Sequence, residues 1–401
     1  MQHTRIPLAP PVSTLAAILA LAATGSAQAY DVNDKLSINL LLAGAGQCQE
    51  VSGLEDEDNI CRGAMPVQPE LSWTPTELDQ VLVKFGFAAG DGLNQKSPFA
   101  LAPWAADLEA DVKNINGRDR SYLLEAWYAH TFKLAEDNSV RLTGGIIDPA
   151  AYVNENAYAN DEYTQFMNEA FVNARSAALP AYDMGGVFVW KFKDFSFSGV
   201  GMNVGENDDG NNYNYYAGQL GYRIGTPLGE GNYRVMYSET SREFLDPTGE
   251  DLEHRAGWFL SFDQELGKTF GAFVRLGWQS DQPLIDYQAE YSGGIDIKGS
   301  AWGREQDNIG IGIAYLEGPD WSPQIDAGIV EPLDPSVEGT VENPTEAAQV
   351  LARTNVFETY YRFVVNDRLA LSADVQYMQD KYREGDDVDG WIFGLRAVVE
   401  L

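Results

Sequence analysis

Charged and aromatic side chains at alternate positions could form a surface that recognises polar solutes. Glu125 and Trp127 are spaced in this way, and so are Arg141 and Thr143. A guanidinium can donate paired hydrogen bonds to neighbouring hydroxyl groups, and a carboxylate can accept them. An indole ring can also pack on the C–H face of a pyranose. The pattern predicts a surface suited to polyhydroxylated solutes, although the same charges could serve only to solvate a wall.

One long segment, 149–181, could narrow the space beside this surface. It is rich in amide and phenol groups, and its length of about 33 residues is unusual for a connection without a role. We expect it to fold inward and meet Arg141, Arg234 and Arg275 at the narrowest point. The alternative is a loop on the outer rim. The residues predicted to line the channel and bind the solute are Glu125, Trp127, Arg141, Arg175, Arg234, Arg275 and Glu290.

The elements that must position these residues are strands. In 390–401, Trp391, Phe393 and Leu395 share one face, whereas Gly394 and Arg396 fall on the other. Alternation alone fits a soluble or a membrane barrel, but a barrel of many strands has an interior too wide for side chains to fill. The predicted strands are 32–43, 67–74, 79–88, 121–132, 139–148, 182–192, 194–205, 212–224, 231–240, 254–266, 269–279, 287–298, 306–316, 355–365, 368–379 and 390–401.

The connections test this strand count. Short connections alternate with long ones, as in outer-membrane barrels, where turns are short on the periplasmic side. The long connections are 44–66, 89–120, 149–181, 241–253 and 317–354. We therefore predict an all-β fold, a closed antiparallel transmembrane barrel of about sixteen strands, with fourteen or eighteen as alternatives. Aromatic residues near strand ends are expected at the membrane interfaces or on the lipid face: Tyr122, Trp190, Trp258 and Trp391.

The N-terminal residues predict export. Arg5 precedes the short apolar stretch 15–23, and Ala27 and Ala29 form an A-x-A cleavage site. The apolar stretch is shorter than the roughly 20 residues of a transmembrane helix. We expect residues 1–29 to be a signal peptide and 30–401 to form one barrel domain in the outer membrane. A retained anchor is the alternative.

The two cysteines, Cys48 and Cys61, predict one disulfide, since exported proteins meet an oxidising compartment. A metal site is not expected, because two thiolates need further ligands and the chain has 3 histidines. The formal charge of −33 excludes binding to nucleic-acid phosphates. The acidic runs 55–58 and 386–387 are expected to be solvated, with bridging of divalent cations to lipid head groups as the alternative.

Several stretches together resemble the carbohydrate-selective porin (OprB) family. They are G-F-A-A-G-D-G-L-N at 86–94, the stretch 145–174 that begins G-I-I-D-P, G-N-Y-R at 231–234, F-V-R-L-G-W at 273–278, and 358–376 with Y-Y-R-F and D-V-Q-Y. The resemblance implies a sixteen-stranded diffusion barrel that prefers sugars. One departure is Leu401, which stands where such barrels often carry Phe.

The resulting functional prediction is an outer-membrane porin through which carbohydrates and similar small polar solutes diffuse. The alternatives are a general or organic-acid-selective porin, and a structural or adhesive barrel. An enzyme is not expected, because no G-x-S-x-G motif occurs and neither His130 nor His254 lies in a recognisable motif. No cofactor is expected. The expected partners are the solutes, outer-membrane lipids and the barrel assembly machinery, with the chain acting as a monomer or homotrimer.

Overall fold

Sixteen antiparallel strands form the wall of a closed barrel in this computed structural model. The structure describes residues 30–52, 59–207, 209–320 and 350–401. The wall strands are β1 (Leu36–Ser52), β2 (Cys61–Thr76), β3 (Asp79–Phe85, continued by Phe87–Ala89), β4 (Leu123–Ala135), β5 (Asn138–Ile147), β6 (Asp183–Phe192), β7 (Phe195–Val204), β8 (Tyr213–Thr226), β9 (Gly229–Thr240), β10 (Ala256–Leu266), β11 (Phe270–Gln279), β12 (Ala289–Lys298), β13 (Asn308–Glu317), β14 (Leu351–Asn366), β15 (Leu369–Tyr382) and β16 (Val388–Glu400).

The ladder between β16 and β1 closes the sheet. It runs from Leu41 opposite Glu400 to Ser52 opposite Asp389, so neither strand is left as an open edge. Closure matters in a membrane because an unpaired backbone group in hydrocarbon costs several kcal/mol. The predicted closed barrel of sixteen strands is therefore confirmed.

A few elements lie outside the wall. Tyr30–Asn33 pairs with the start of β1, and Phe244–Leu245 pairs with Leu252–Glu253 in the connection between β9 and β10. The helices are short: α1 (Glu109–Lys113), α2 (Glu169–Val172), and the 3-10 turns Ile115–Gly117, Pro149–Ala151, Arg175–Ala177 and Gly299–Trp302. None of the helices in the described residues is long and apolar enough to cross a membrane.

The outer face of the barrel is apolar, because alternate residues of each strand point outward. Leu220 is 59% exposed and Ile313 is 65% exposed at outward positions. Trp190 lies on this face near the turn after β6, whereas Trp258 and Trp391 lie near the opposite rim. This distribution places aromatic side chains near both rims, as in the interfacial girdles of outer-membrane barrels.

Short and long connections separate onto opposite rims. Most turns at one rim have two or three residues, for example 136–137, 193–194 and 267–269, and the longest there is 299–307. The long connections 90–122 and 148–182 leave from the other rim. The wall also contains a break at Gly86, where a Cβ would lie 2.7 Å from the side chain of Leu124. That contact favours glycine at the interruption of β3.

The largest difference from the predicted strands is at β1 and β2, which continue well beyond 32–43 and 67–74. Outward positions in the extension of β1 carry Gly44, Gly46 and Glu50, so the apolar alternation that marks a lipid face is missing there. Cys48 and Cys61 consequently face each other across the ladder, and their sulfur atoms are joined at 2.00 Å. The predicted signal peptide 1–29 and the acidic run 55–58 lie outside the described residues.

Candidate functional site

Two long connections fold into the barrel. We call 90–122 the first inward segment and 148–182 the second inward segment. The first reaches the wall near the closing ladder: Gln47 of β1 donates to the carbonyl of Pro103 (3.0 Å), and Asp380 of β15 accepts from the amide of Ala100 (2.8 Å). The second contacts β8, β11, β14 and β16. The prediction that 149–181 folds inward thus agrees with the path of the chain.

Arg275 of β11 holds the second inward segment by its backbone. Its guanidinium donates to the carbonyls of Phe171 (2.9 Å), Asn154 (3.0 Å) and Ala159 (2.8 Å). These carbonyls come from distant parts of the segment, so one side chain fixes its folded path. The side chain is completely buried, at 0% exposure.

Other charged wall residues hold the same segment. Glu358 of β14 accepts from the amides of Met167 (2.5 Å) and Asn168 (2.9 Å), and Glu290 of β12 accepts from the amide of Ser176 (2.9 Å). Arg396 of β16 donates to two of its carbonyls, at 2.6 and 2.8 Å. A buried segment without regular structure must find partners for its backbone groups, and wall charges supply them here.

Aromatic packing completes the attachment. Phe166 lies with its ring centroid 5.6 Å from that of Phe273 on β11 and 5.1 Å from that of Tyr360 on β14. Trp104 of the first inward segment packs edge-on against Tyr163 of the second, at 6.3 Å, and donates to the carbonyl of Glu162 (3.0 Å). The two segments are therefore packed against each other and against the wall.

A cavity of about 630 Å³ remains between the second inward segment and the wall formed by β4 to β9. The segment contributes Tyr152 and Glu155 to its lining. The wall contributes Arg141, Lys191, Arg223 and Arg234, together with serine hydroxyls and the amide of Asn232. The space thus combines hydrogen-bond donors of both charged and neutral type with a carboxylate acceptor.

Two arginines of this cavity have different surroundings. Arg234 forms an ion pair with Asp263 at 2.6 Å, and its Nε lies 3.9 Å from Glu155. Arg141 donates to the amide oxygen of Gln80 at 2.7 Å, and its guanidinium carbon lies 5.7 Å from the ring centroid of Trp127. Arg234 is therefore neutralised by carboxylates, whereas Arg141 is hydrogen-bonded to a neutral group.

The predicted lining residues separate into three groups. Arg141 and Arg234 border the cavity. Arg275 and Glu290 were expected to face the solute, and this expectation needs correction, since both are buried and bonded to the second inward segment. Their orientation is inward, but the segment's backbone occupies their polar groups.

The other predicted residues lie elsewhere in the interior. Glu125 accepts from Trp127 Nε1 at 2.9 Å, and both side chains are buried. Arg175 belongs to the second inward segment and lies 3.4 Å from Glu169 and 3.7 Å from Asp286. These three residues do not border the cavity beside β4 to β9.

Sequence reasoning missed Lys191, Tyr152 and Glu155 as lining residues, and it did not place 90–122 inside the barrel. A signal for the latter was present in the apolar residues Leu93 and Leu101, which are fully buried. A solvated loop of that length would not be expected to carry such residues together with Trp104. Lys191 could have been found by continuing the inward alternation of β6 to its last turn-proximal position.

Carboxyl groups in the inward segments have altered proton affinities. Burial raises the pKa of Asp148 to about 7, and the negative charge of Glu125 adds to this effect. Burial likewise raises the pKa of Asp111 to about 6. Burial raises the pKa of Glu162 well above its ordinary value. Near neutral pH, a fraction of the Asp148 and Asp111 carboxyl groups is therefore protonated and can donate hydrogen bonds.

The chain is similar to outer-membrane porins both in sequence and in fold. The model of the carbohydrate-selective porin, OprB family, matches residues 88–401. The high-pH structure of Pseudomonas putida OprB superposes with a TM-score of 0.72 at 14% identity, covering 92% of this chain and 95% of that one. OmpT, an outer membrane protein of Vibrio cholerae, superposes with a TM-score of 0.51 at 8% identity, covering 92% and 98%. These structures share the fold.

A relative in sequence is an uncharacterized protein of Aquifex aeolicus strain VF5. It is 26% identical over 307 residues, which cover 75% of this chain and 79% of that protein. The similarity in sequence therefore extends over most of the barrel.

Proposed function

The chain belongs to the carbohydrate-selective porin OprB family, and on that basis we propose that its solutes pass the second inward segment in contact with Arg141, Arg234 and Glu155. The protein is an outer-membrane porin through which carbohydrates and similar small polar solutes diffuse. The residues that contact the solute, and its route beside the second inward segment, are the new parts of this proposal. It also includes removal of the signal peptide 1–29 and insertion of 30–401 by the barrel assembly machinery, with the short turns facing the periplasm.

The observation that carries the proposal is the cavity beside the anchored segment. Its lining offers guanidinium donors on the wall and a carboxylate acceptor, Glu155, on the segment. A sugar hydroxyl both donates and accepts, so it can exchange its bonds to water for bonds to these groups. Such bonds attract the solute while their modest net energy, about 1 kcal/mol each, lets it leave again.

Local charge balance near Arg234 suits uncharged solutes. Asp263 and Glu155 lie within ion-pair distance of its guanidinium, so this region carries little net positive charge. A neutral polyol loses little electrostatic solvation on entering such a region, whereas an isolated ion would lose more. Carbohydrates therefore fit this part of the lining.

Single-channel recording tests the proposal. In a planar bilayer, glucose should interrupt the current of the refolded protein transiently. Arg141→Gln should shorten these interruptions several-fold, because about one hydrogen bond of 1–2 kcal/mol is lost. Lys268→Gln is the matched control, since Lys268 lies in an exposed turn away from the cavity lining. Equal interruptions in Arg141→Gln and the parent would show that Arg141 does not contact the solute.

A further inference from the structure

The cavity beside the second inward segment carries an excess of positive charge. Its charged lining residues are Arg141, Lys191, Lys193, Arg223, Arg234, Glu155 and Asp194. Five of these are basic and two are acidic, in a chain whose formal charge is −33. This local composition opposes that of the whole protein, so it concentrates anions at one place in the lumen.

The ion-pair partners of these cations show which of them carry the excess positive charge. Arg234 is paired with Asp263 at 2.6 Å. Arg223 lies 3.5 Å from Asp194, but both side chains are more than half exposed, and exposed pairs of this kind are weak. Within the described part of the chain, Lys191 has no ion-pair partner, and its side chain is exposed. Positive charge that is unpaired or weakly paired is thus available at Lys191, Lys193 and Arg223, close to the short-turn rim, and at Arg141.

Neutral polar groups surround the same cations. Ser139 and Ser196 flank Lys191 on the neighbouring strands, and Asn232 lies opposite Arg223 in the ladder. All three border the cavity, whose volume of about 630 Å³ lies within the range of small-molecule sites, roughly 300–1,000 Å³. The lining can therefore accommodate one anionic group and several hydroxyl groups at once.

We propose that this cavity binds sugar acids, with the carboxylate at Lys191 and Arg223 and the hydroxyl groups toward Arg141 and Glu155. The inference rests on the proposed passage of carbohydrates beside this segment and adds a class of solute to it. A carboxylate matches the planar fork of a guanidinium. A monoanion is favoured over a dianionic phosphate because Glu155 and Asp194 also border the space.

A matched pair of solutes tests the proposal. Glucose and glucuronate differ only at C6, so their relative block of single-channel current reports the contribution of the carboxylate. In the full-length refolded protein, glucuronate should block at lower concentration than glucose. Lys191→Gln combined with Arg223→Gln should lower this preference by at least about tenfold, because loss of one charge-assisted hydrogen bond alone has roughly this effect.

Two further variants distinguish loss of positive charge in the cavity from a general effect of substitution on the protein. Lys191→Arg retains the cation and should keep the preference for glucuronate. Lys268→Gln removes a cation outside the cavity lining and should also keep it. If the double variant does not fold, as judged by its heat-modifiable mobility in electrophoresis, Lys191→Gln alone decides. Its side chain is exposed, so its removal leaves no buried group without a partner.

The outcomes distinguish this inference from the porin function. Absence of conductance would contradict passage through the barrel altogether. Conductance with glucose block, but with an unchanged preference for glucuronate in the double variant, would overturn the sugar-acid site alone. Inorganic phosphate that competes with glucuronate at equal concentration would also overturn it, since the site would then bind anions without regard to the sugar.

Discussion

Arg234 and Arg275 occupy inward positions two strands apart, yet their guanidiniums have different roles. Arg275 is bonded to three carbonyls of the second inward segment, whereas Arg234 borders open space beside Asp263 and Glu155. The effect of Arg275 on permeation is therefore expected to come from holding the segment in place.

Replacement of Arg275 tests this structural role. Arg275→Met keeps the length and apolar stem of the side chain but removes donors to three buried carbonyls. Each unsatisfied carbonyl costs about 1–3 kcal/mol, so the second inward segment should detach from β11. We expect larger single-channel conductance and faster cleavage of the segment by an added protease.

Arg62→Met is a suitable control for that experiment. Arg62 is exposed, and its hydrogen bond goes to the carbonyl of the adjacent Cys61. Its conductance and protease resistance should match those of the parent. An Arg275→Met protein that behaves in the same way would show that the other anchors suffice.

Asp148 should make the attachment of the segment dependent on pH. Burial and the charge of Glu125 raise its pKa from 3.8 to about 7, partly offset by Lys84 and by the amide of Ala150, and Asp107 also faces it. Because the folded pKa is raised, the stabilisation is complete below pH 3.8 and is lost as the pH rises toward 7. Current fluctuations should therefore increase between pH 5 and pH 8.

Asp148→Asn gives the matching test, because the amide resembles the protonated acid and its oxygen can still accept from Ala150 (2.9 Å in the parent). The variant should show the same current fluctuations at pH 5 and pH 8. A variant with the parental pH dependence would assign the effect to another carboxyl group, such as Asp111.

For single residues, the alternation of side chains along a strand predicted which ones point inward but not which groups they bind. It placed Arg141, Arg234, Arg275 and Glu290 on the inner face, since a strand's side-chain period is two. Whether each one meets solvent or backbone depends on the path of the inward segments. That path is irregular, so no period in the sequence describes it.

The strands themselves were predicted closely, because each must cover a lipid-facing surface with alternate apolar residues. The outward position of Leu220, in the middle of β8, provides a test of this surface. Leu220→Arg should lower the free energy of unfolding by about 2–4 kcal/mol in lipid vesicles, as for a cation at the bilayer midplane. Denaturant titration followed by tryptophan fluorescence measures the change.

The matched control for Leu220→Arg is Ser196→Arg on the adjacent strand β7. Ser196 borders the cavity, so its replacement adds a cation to an aqueous lining. Its unfolding free energy should change by about 0.5 kcal/mol or less. Equal destabilisation by the two changes would place Leu220 away from lipid.

The predicted strands were too short where the outward face of the real strand lacks apolar residues, as at Gly44, Gly46 and Glu50 of β1.

The inward path of 90–122 was missed for a related reason. Its buried apolar residues pack against other irregular chain and the wall, so they recur without a helical or strand period. Both features depend on tertiary contacts that local patterns do not record.

The whole barrel should depend little on the disulfide between Cys48 and Cys61. The two residues already face each other in the ladder between β1 and β2, within a sheet that closes on itself. We expect the variant with both cysteines changed to serine to melt within a few degrees of the parent. The intact mass after alkylation should show free thiols in the parent only once it has been reduced.

Failure of this expectation would be informative about the barrel. A large fall in melting temperature would mean that the ladder between β1 and β2 does not hold the strand ends without the covalent bond. Reactive thiols in freshly exported protein would mean that the pair is not oxidised in the cell.

Cys48 also lies opposite Phe393 of β16 on the other side of β1, so the disulfide is attached to a residue of the closing ladder. β16 follows all the other wall strands along the chain and is the last to emerge during export. By then the β1–β2 hairpin can already be cross-linked, with one edge of β1 free to receive the late strand. If oxidation precedes closure, the cross-linked β1–β2 hairpin supplies a preformed edge on which the final strand docks.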